Sequence, residues 1–431
     1  MLVRAGLISL SDFDAWMDSQ AGFSGMPSSA GIVVNQHSAL TYNPVLAAAN
    51  IIGQDFASFP IGVFEHGPDG SRIAVDPTAP NTVAYKLAYE PNPIMSSYTW
   101  RLVMMGHAIW RGNAISILNW NSAGRLDSIV PMHPDRVRWA IYPQTPGAVD
   151  WRGMKPQNGE LWYYVRSQSG QWVPFADEDV LHIRGLGGDG ISGYDIVTLM
   201  SEALGVPMAA TRFGARYFAN NATPGVILGH PGKLSPQAHK NIRESFEARH
   251  KGLDNSHVMG IIEEGMTATQ LECKATDAQL LETRRFGTED VSRYTRIPLH
   301  MLADLTHATF SNIEEQGMEY GKFCQTPWKT NWEQELNRKL FYGTRQFPWV
   351  DISELMRGNS LSRAQANQIK FQNGIIDIDE WRRDDGKNPL PNGVGKVRII
   401  PLNMQQLPGT GAPMMPIPAQ PKEIAAPKEG K

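Results

Sequence analysis

Between residues 113 and 185 the chain reads as a succession of short β-forming runs, and this stretch limits the fold more than any other. NAISILNW, GRLDSIVPM, RVRWAIY, ELWYYVRS and QWVPF are rich in aromatic and β-branched residues, and DVLHIRG closes the unit. Asn-Ser-Ala-Gly (121–124) and Gln-Ser-Gly (168–170) supply turn signals between some of them. Connections this short join antiparallel neighbours, because a parallel pair needs a long crossover. Helical patterns lie on both sides of the β-rich unit, so the expected class is α+β.

Residues 1 to about 38 are rich in Gly, Ser and Met without a period, so 1–42 is expected to be a flexible arm with at most a short helix near Leu10–Asp18. Asn43-Pro44 opens a helix through VLAAANIIGQDFAS, Pro60 stops it, and IGVFEH follows as a strand. Asp69-Gly-Ser-Arg72 signals a hairpin turn. A helix is expected near Ser96–Trp110, with Ser96 as its N-cap. From about 193 the pattern is helical again, broken or kinked at Pro207 and ending near Asn221. A small α/β insert follows, with GVIL, HVMGIIE and TATQLEC as strands and SPQAHKNIRESFEARH as a helix. Residues 277–297 form a helix with Asp277 as cap, ended by Pro298. HMLAD is a short turn, LTHATFSN a loop, and a long helix from about Ile313 to Leu340 is expected to kink at Pro327. A strand and turn at 347–357 precede two short helices, SLSRAQANQIKFQNG and DIDEWRRDDG. The Pro-rich last 30 residues read as disordered.

Composition narrows the function. The 431 residues are 42% hydrophobic and carry a net charge of only −3, enough for a sizeable core but not the basic balance of a protein that grips nucleic acid. Cys273 and Cys324 have no metal or disulfide spacing, which suits a reducing cytosol. No apolar run is long enough for a signal peptide or a membrane span, so no membrane partner is expected.

Sequence motifs for chemistry are weak. Gly185-Leu-Gly187-Gly188-Asp-Gly190 fits G-x-G-x-x-G after a strand, but the βαβ context a dinucleotide site needs is missing. A turn between sheet and helix is the plainer reading. Gly232-Lys233 lacks the rest of a P-loop, so no ATP-driven motor is expected. His182 reads as a core histidine with satisfied nitrogens. Glu263-Glu264, Glu314-Glu315 and Asp384-Asp385 diverge on any regular element and preset no acid/base pair. No cofactor, metal or catalytic residue is expected.

The order and spacing of several segments resemble the portal proteins of tailed double-stranded DNA phages and their prophages. NPVLAAANIIGQDFASFPIGVF, EPNPIMSSYTW, GNAISIL, PMHPDRV, DVLHIRG, DGISGYD and FANNATPGVIL carry the resemblance in the first half. LLETRRFGTEDVSRYTRIPLHML, SNIEEQGMEYGKFCQTPWKTNWEQELN and LMRGNSLSRAQANQIKFQNGIIDIDEWRRDDGKNPLP carry it in the second, from about 43 to 395 overall. Asn221-Ala222 departs from the Asn-Gly usual there. The resemblance implies a portal fold: a β-rich wing (43–192), stem helices (193–223 and 277–304), an α/β clip (224–276), a tunnel loop (305–312), a kinked helix returning to the wing (313–357) and a helical crown (358–400), with 401–431 as tail.

It also implies a ring of twelve subunits at one capsid vertex of the virion, assembled in the host cytoplasm. That ring would be a head–tail connector through which DNA is packaged and ejected. Terminase large subunit, major capsid protein and a head–tail adaptor are the partners implied. Thr306, His307, Thr309, Phe310, Ser311 and Asn312 would face the DNA. Arg284, Arg285, Phe286, Val291, Arg293 and Tyr294 would form the stem interface between subunits. Lys240, Arg243, Arg249, His250 and Lys251 would be the clip docking surface. The tunnel segment is uncharged apart from His307, which suits a lining that lets DNA slide. Two other classes stand beside this reading: a nucleotide-dependent enzyme using 185–190, and a monomeric carbohydrate-binding module suggested by twelve tryptophans and the β-rich half.

Overall fold

The computed structural model describes residues 26–68, 71–141, 159–167, 170–219, 226–250, 266–270, 277–304, 316–356, 360–384 and 388–398. The chain divides into two compact units, Met1–Met356 and Arg357–Lys431.

The first unit begins with β1 (Met26–Pro27), β2 (Val33–Val34) and α1 (Gln36–Leu40). These residues correct the expectation of a flexible arm through 42. Val34 and Ala39 are fully buried, and Ser29 donates from its backbone N–H to the Glu202 carboxylate at 2.9 Å. Isolated apolar residues with no period hid this packing from a pattern reading. Residues 1–25 lie outside the described set, and with them the short helix expected near Leu10–Asp18.

α2 (Asn43–Ser58) starts with Pro44 in its first turn, where a missing N–H costs nothing, and ends ahead of Pro60. It leads into β3 (Ile61–His66), which pairs antiparallel with β4 (Arg72–Ala74). α3 (Val83–Ala88) and α4 (Ser97–Arg111) follow, each capped by the residue expected from its chemistry: Thr82 accepts from Tyr85 N and Ser96 from Thr99 N. Arg101 on α4 is 5% exposed, and its guanidinium donates to Phe59 O at 2.5 Å and Phe56 O at 3.3 Å. It thereby caps the Phe59 carbonyl and gives a second donor to Phe56 O, which already accepts from Phe59 N. Burial pulls its pKa down to about 10.

The β-rich stretch forms two three-stranded antiparallel sheets. One orders β10 (Val180–Arg184), β5 (Asn113–Trp120) and β6 (Leu126–Met132); the other orders β7 (Val137–Ile141), β8 (Leu161–Arg166) and β9 (Trp172–Ala176). His182 and Tyr163 join them. His182 Nδ1 lies 3.1 Å from the Tyr163 hydroxyl and Nε2 lies 3.0 Å from Asn113 Oδ1, so both ring nitrogens are engaged. Burial holds this imidazole well below its ordinary pKa.

The chain then enters α5 (Ile196–Leu199) and α6 (Ser201–Ala219), with Pro207 inside α6. β11 (Val226–Gly229), α7 (Pro236–His250) and β12 (Thr267–Gln270) make the α/β insert, β11 and β12 pairing antiparallel. HVMGIIE lies outside the described residues. α8 (Asp277–Thr295) includes Asp277 as its first residue and stops before Arg296, which adopts a left-handed φ of 58°. α9 (Thr326–Leu340), β13 (Gln346–Val350), paired to β3, and α10 (Ser353–Met356) complete the unit. In its main core cluster Phe56 and Trp100 pack on Trp332, with ring centroids 5.1 and 5.3 Å from it.

The expected kinked helix has a different cause from the one its proline suggests. Residues 316–320 are helical, Gly321–Gln325 form a π turn, and α9 takes over with Pro327 in its first turn. The Thr326 N–H reaches back five residues to Gly321 O, so an extra residue is absorbed just where Pro327 cannot donate.

The second unit contains α11 (Ser360–Gln372) and α12 (Ile378–Asp384). Asp377 and Glu380 cap α12 reciprocally, Glu380 N donating to Asp377 Oδ1 at 2.7 Å and Asp377 N to Glu380 Oε2 at 2.9 Å. Phe371 and Trp381 pack with centroids 5.7 Å apart.

Candidate functional site: α6, α8 and the base of the 305–315 segment

Val226 pairs with Gln270, which brings the ends of α6 and α8 together and makes the two helices run out and back. They approach closely because α8 offers a glycine to the proline of α6. A Cβ on Gly287 would meet the Pro207 ring at 2.7 Å and the Tyr42 hydroxyl at 2.5 Å. On the outer side of this crossing, Ala203, Val206, Phe286, Glu282 and Asp290 line a groove of about 610 Å³.

α8 separates the expected interface residues by face. Val291 is fully buried in the chain's own core, and Tyr294 turns inward, its hydroxyl donating to Ile109 O at 3.2 Å. Arg285 pairs with Asp304 at 3.1 Å. Phe286 is 53% exposed, with Arg293 over its ring at 5.0 Å, and Arg284 is exposed. Phe286 and Val291 are five residues apart, about 140° around a helix, so both cannot face one neighbour. Val291 is therefore a core residue, which corrects its assignment as a contact. Arg293 also reaches Asp290 at 2.6 Å and Glu289 at 3.0 Å.

The segment expected to line a channel, with Thr306, His307, Thr309, Phe310, Ser311 and Asn312, lies outside the described residues. Its two ends are described. Asp304 is held by Arg285, and His300 Nδ1 lies 2.7 Å from Gln316 Oε1. The His300–Gln316 contact brings the residues on either side of 305–315 together. A cavity of about 620 Å³ sits at this base, lined among others by Arg296, Leu299, His300, Tyr320 and Phe323.

Residues the sequence did not single out stitch α8 to the π turn. Cys324 donates to Thr295 O at 3.2 Å, and its thiol is pushed up to about 12 by burial. Gln325 is fully buried, donating to the Tyr320 hydroxyl at 2.6 Å and Ile52 O at 3.3 Å, while Tyr320 donates to Asp55 at 2.9 Å. Two glycines before a helical proline, Gly317 and Gly321, were the available signal.

On the insert, Lys240 is exposed and 3.9 Å from Glu244. The side chains of Arg243, Arg249 and His250, and Lys251 as a whole, lie outside the described residues.

The 185–190 run serves backbone packing. A Cβ on Gly187 would lie 2.2 Å from Ser192 O, and one on Gly193 would lie 1.9 Å from Gly112 O. The strand before it, β10, pairs antiparallel with β5, so the run opens no βαβ unit. Among the described residues no group of three or more His, Cys, Asp or Glu could hold a metal ion, and no helix is long and apolar enough to cross a membrane.

A partly buried charge network joins the end of α9 to Asp177, between β9 and β10. Lys339, 3% exposed, pairs with Asp177 at 2.8 Å, and Arg338 reaches Asp177 at 3.0 Å and Glu335 at 2.6 Å. Burial pushes the Asp177 carboxyl up, but Lys339 and Arg338 together leave it below its ordinary pKa.

Comparison with known proteins agrees with this architecture. The family model for phage portal protein matches residues 43–386. The chain is 28% identical over 399 residues to a probable portal protein of Streptomyces phage phiC31, covering 89% of this chain and 82% of that one. It is 25% identical over 366 residues to the portal protein of Enterobacteria phage HK97, covering 84% and 82%. Among solved structures, an HK97 family phage portal protein from Corynebacterium diphtheriae superposes with a TM-score of 0.53 at 19% identity, over 75% of this chain and 96% of that one. The neck of a native gene transfer agent particle, computed with C12 symmetry, gives 0.52 at 16% identity, over 82% and 92%. Most of the chain, from the start of α2 to the end of α12, thus belongs to the phage portal protein family.

Proposed function

We propose that this chain is the structural subunit of a phage portal: a ring of twelve copies at one capsid vertex, surrounding the channel through which the genome enters and leaves. The family match over 43–386 carries the reading. The twelvefold neck of the gene transfer agent particle supports the copy number. In this reading the two antiparallel sheets and their helices are the wing, α6 and α8 the stem, 224–276 the clip and 358–400 the crown. Residues 305–312 line the channel, held from below by the Asp304–Arg285 and His300–Gln316 contacts. Phe286 and Arg293, seven residues apart, lie on the face of α8 turned to the next copy, whereas Arg284, about 160° from Phe286 around the helix, does not share that face.

The ring itself does no chemistry, and packaging energy comes from a terminase that docks on the clip, with Lys240, Arg243, Arg249, His250 and Lys251 as its contacts. The head–tail adaptor and major capsid protein meet the assembled ring. Thr306, His307, Thr309, Phe310, Ser311 and Asn312 touch DNA weakly, since each firm phosphate contact adds salt-dependent affinity. A packaging assay with Thr309→Lys tests the channel assignment. Rings still assemble and DNA passage slows, more so at low salt. Normal packaging by the lysine variant at low salt overturns it.

A further inference from the structure

We infer that the Ile94 loop of one copy docks into a cleft of the next copy, formed where the end of α8 meets the start of α9. The loop presents a rigid apolar knob. Ile94 is 88% exposed, and Tyr89 and Tyr98 on either side of it in sequence are 51% and 41% exposed. Buried Asn92 holds the loop in shape: its Oδ1 accepts from Ile94 N and Met95 N, both at 3.0 Å, and its Nδ2 donates to Ile129 O at 2.8 Å. Ile129 N donates in turn to Pro91 O at 2.8 Å. A loop already held in one shape loses little freedom on binding, and its large apolar side chains are left for a partner to cover.

The cleft lies at the other end of α4. Its lining joins buried Ile52, Ile109 and Cys324 to exposed Leu186 and Phe323, around about 430 Å³. The Tyr294 hydroxyl donates to Ile109 O, which fixes the cleft to the C-terminal end of α4, whereas the knob precedes that helix's first residue, Ser97. From Ser97 to Ile109 the helix rises about 18 Å. The knob therefore cannot fill the cleft of its own chain. A knob and a cleft at opposite ends of one helix make a head-to-tail contact between copies, the kind that closes into a ring.

Two further features select a second copy as the occupant. Arg293 belongs to the cleft lining and also to the face of α8 turned to the next copy, so the cleft continues that face. The charges are complementary as well. Glu90 beside the knob is exposed, accepts from the neutral Tyr85 hydroxyl at 3.0 Å and has no ion pair among the described residues. Arg296 at the cleft is exposed and likewise has none among them. Opposite charges beside matching apolar surfaces orient the approach of one copy to the next. The inference rests on the ring reading and names the segment that the neighbouring copy contributes.

Disulfide trapping in the full-length protein, with native mass measured in parallel, tests this. Ile94→Cys with Leu186→Cys, in a Cys273→Ser, Cys324→Ser background, gives on oxidation a ladder of chain multiples on denaturing gels, and either cysteine alone gives none. Ile94→Asp changes a side chain too exposed to disturb the fold, so thermal unfolding of the monomer is unchanged. It raises the protein concentration needed for assembly about tenfold or more, as loss of a central apolar anchor should. Closed rings of the double-cysteine protein without a ladder, or Ile94→Asp rings as stable as those of the wild type, overturn the inference and leave the ring reading standing. A ladder from open chains that never close keeps the docking and overturns the ring. Chains that stay monomeric overturn both.

Discussion

The Arg296 guanidinium donates to the carbonyl of Phe323 at 3.3 Å, and that carbonyl is the one Pro327 leaves without its α-helical donor. Arg296 reaches it from a left-handed backbone position just past the end of α8. The last turn of α8 and the π turn ahead of α9 are thus joined at the point where both depart from regular geometry. Cys324 to Thr295 O is the second stitch.

Arg296→Ala removes the donor and keeps the strain, and should cost about 1–2 kcal/mol. Arg296→Gly also removes the donor but relieves the left-handed φ, worth about 1 kcal/mol. The glycine variant is therefore expected to be the more stable of the two in urea denaturation. The opposite order would show that the backbone at 296 is not strained.

The glycines around 185–193 differ in what they do. Gly193→Ala places a Cβ against backbone at Gly112 and should destabilise by on the order of 3 kcal/mol or more. Gly190 has φ 73° but open space around it, so Gly190→Ala should cost only about 1 kcal/mol. Thermal unfolding of both variants checks this. Equal tolerance would remove the packing account of the run.

His107 makes stability depend on acidity. Burial, then the neighbouring His133 and Arg111, lower its pKa to about 4 against Asp135, which pulls the other way. The folded pKa lies below the ordinary 6.5, so the unfolded chain binds the proton more tightly. The contribution is complete above pH 6.5 and is lost as pH falls towards 4, on the order of 2 kcal/mol by pH 4.5. His107→Leu should lose less stability between pH 7 and 4.5 than the wild type. Parallel losses would assign the acid sensitivity elsewhere.

Much of the first unit between α2 and β10 was legible because its punctuation is local. Pro44 and Pro60 bracket α2, Ser96 caps α4, and the strand runs between 113 and 184 need only alternating aromatics and short turns. What escaped depends on distant partners. Val34 and Ala39 are core residues only because α6 and the rest of the core come back to them, so 26–42 read as arm. The faces of α8 were blurred for a like reason: 277–297 mixes charge with apolar residues, and only the packed core shows that Val291 points in and Phe286 out. The π turn has no periodic signature over five residues, and Pro327 alone could not distinguish it from a simple kink.

Lys339 and Asp177 offer a test of the buried charge network. Lys339 is almost wholly buried, so Asp177→Asn leaves its charge short of a partner and should cost on the order of 3 kcal/mol. Lys339→Met, which removes the buried charge, should cost less. Asp177 is held below its ordinary pKa, so its contribution is present above the usual carboxylate range and fades as pH falls through the folded pKa. Urea titrations at pH 7 and in acid measure both effects. A costlier Lys339→Met would reverse the assignment.

The mass of the purified, full-length protein in native conditions tests the central claim most directly. A closed ring predicts a species at twelve times the 47.8 kDa chain, with a central hole in negative-stain images. Phe286→Asp, on the face assigned to the next copy, should shift that species towards smaller masses while leaving the chain folded. A wild-type protein that stays monomeric at every concentration, or forms open filaments with no closed ring, would contradict the account.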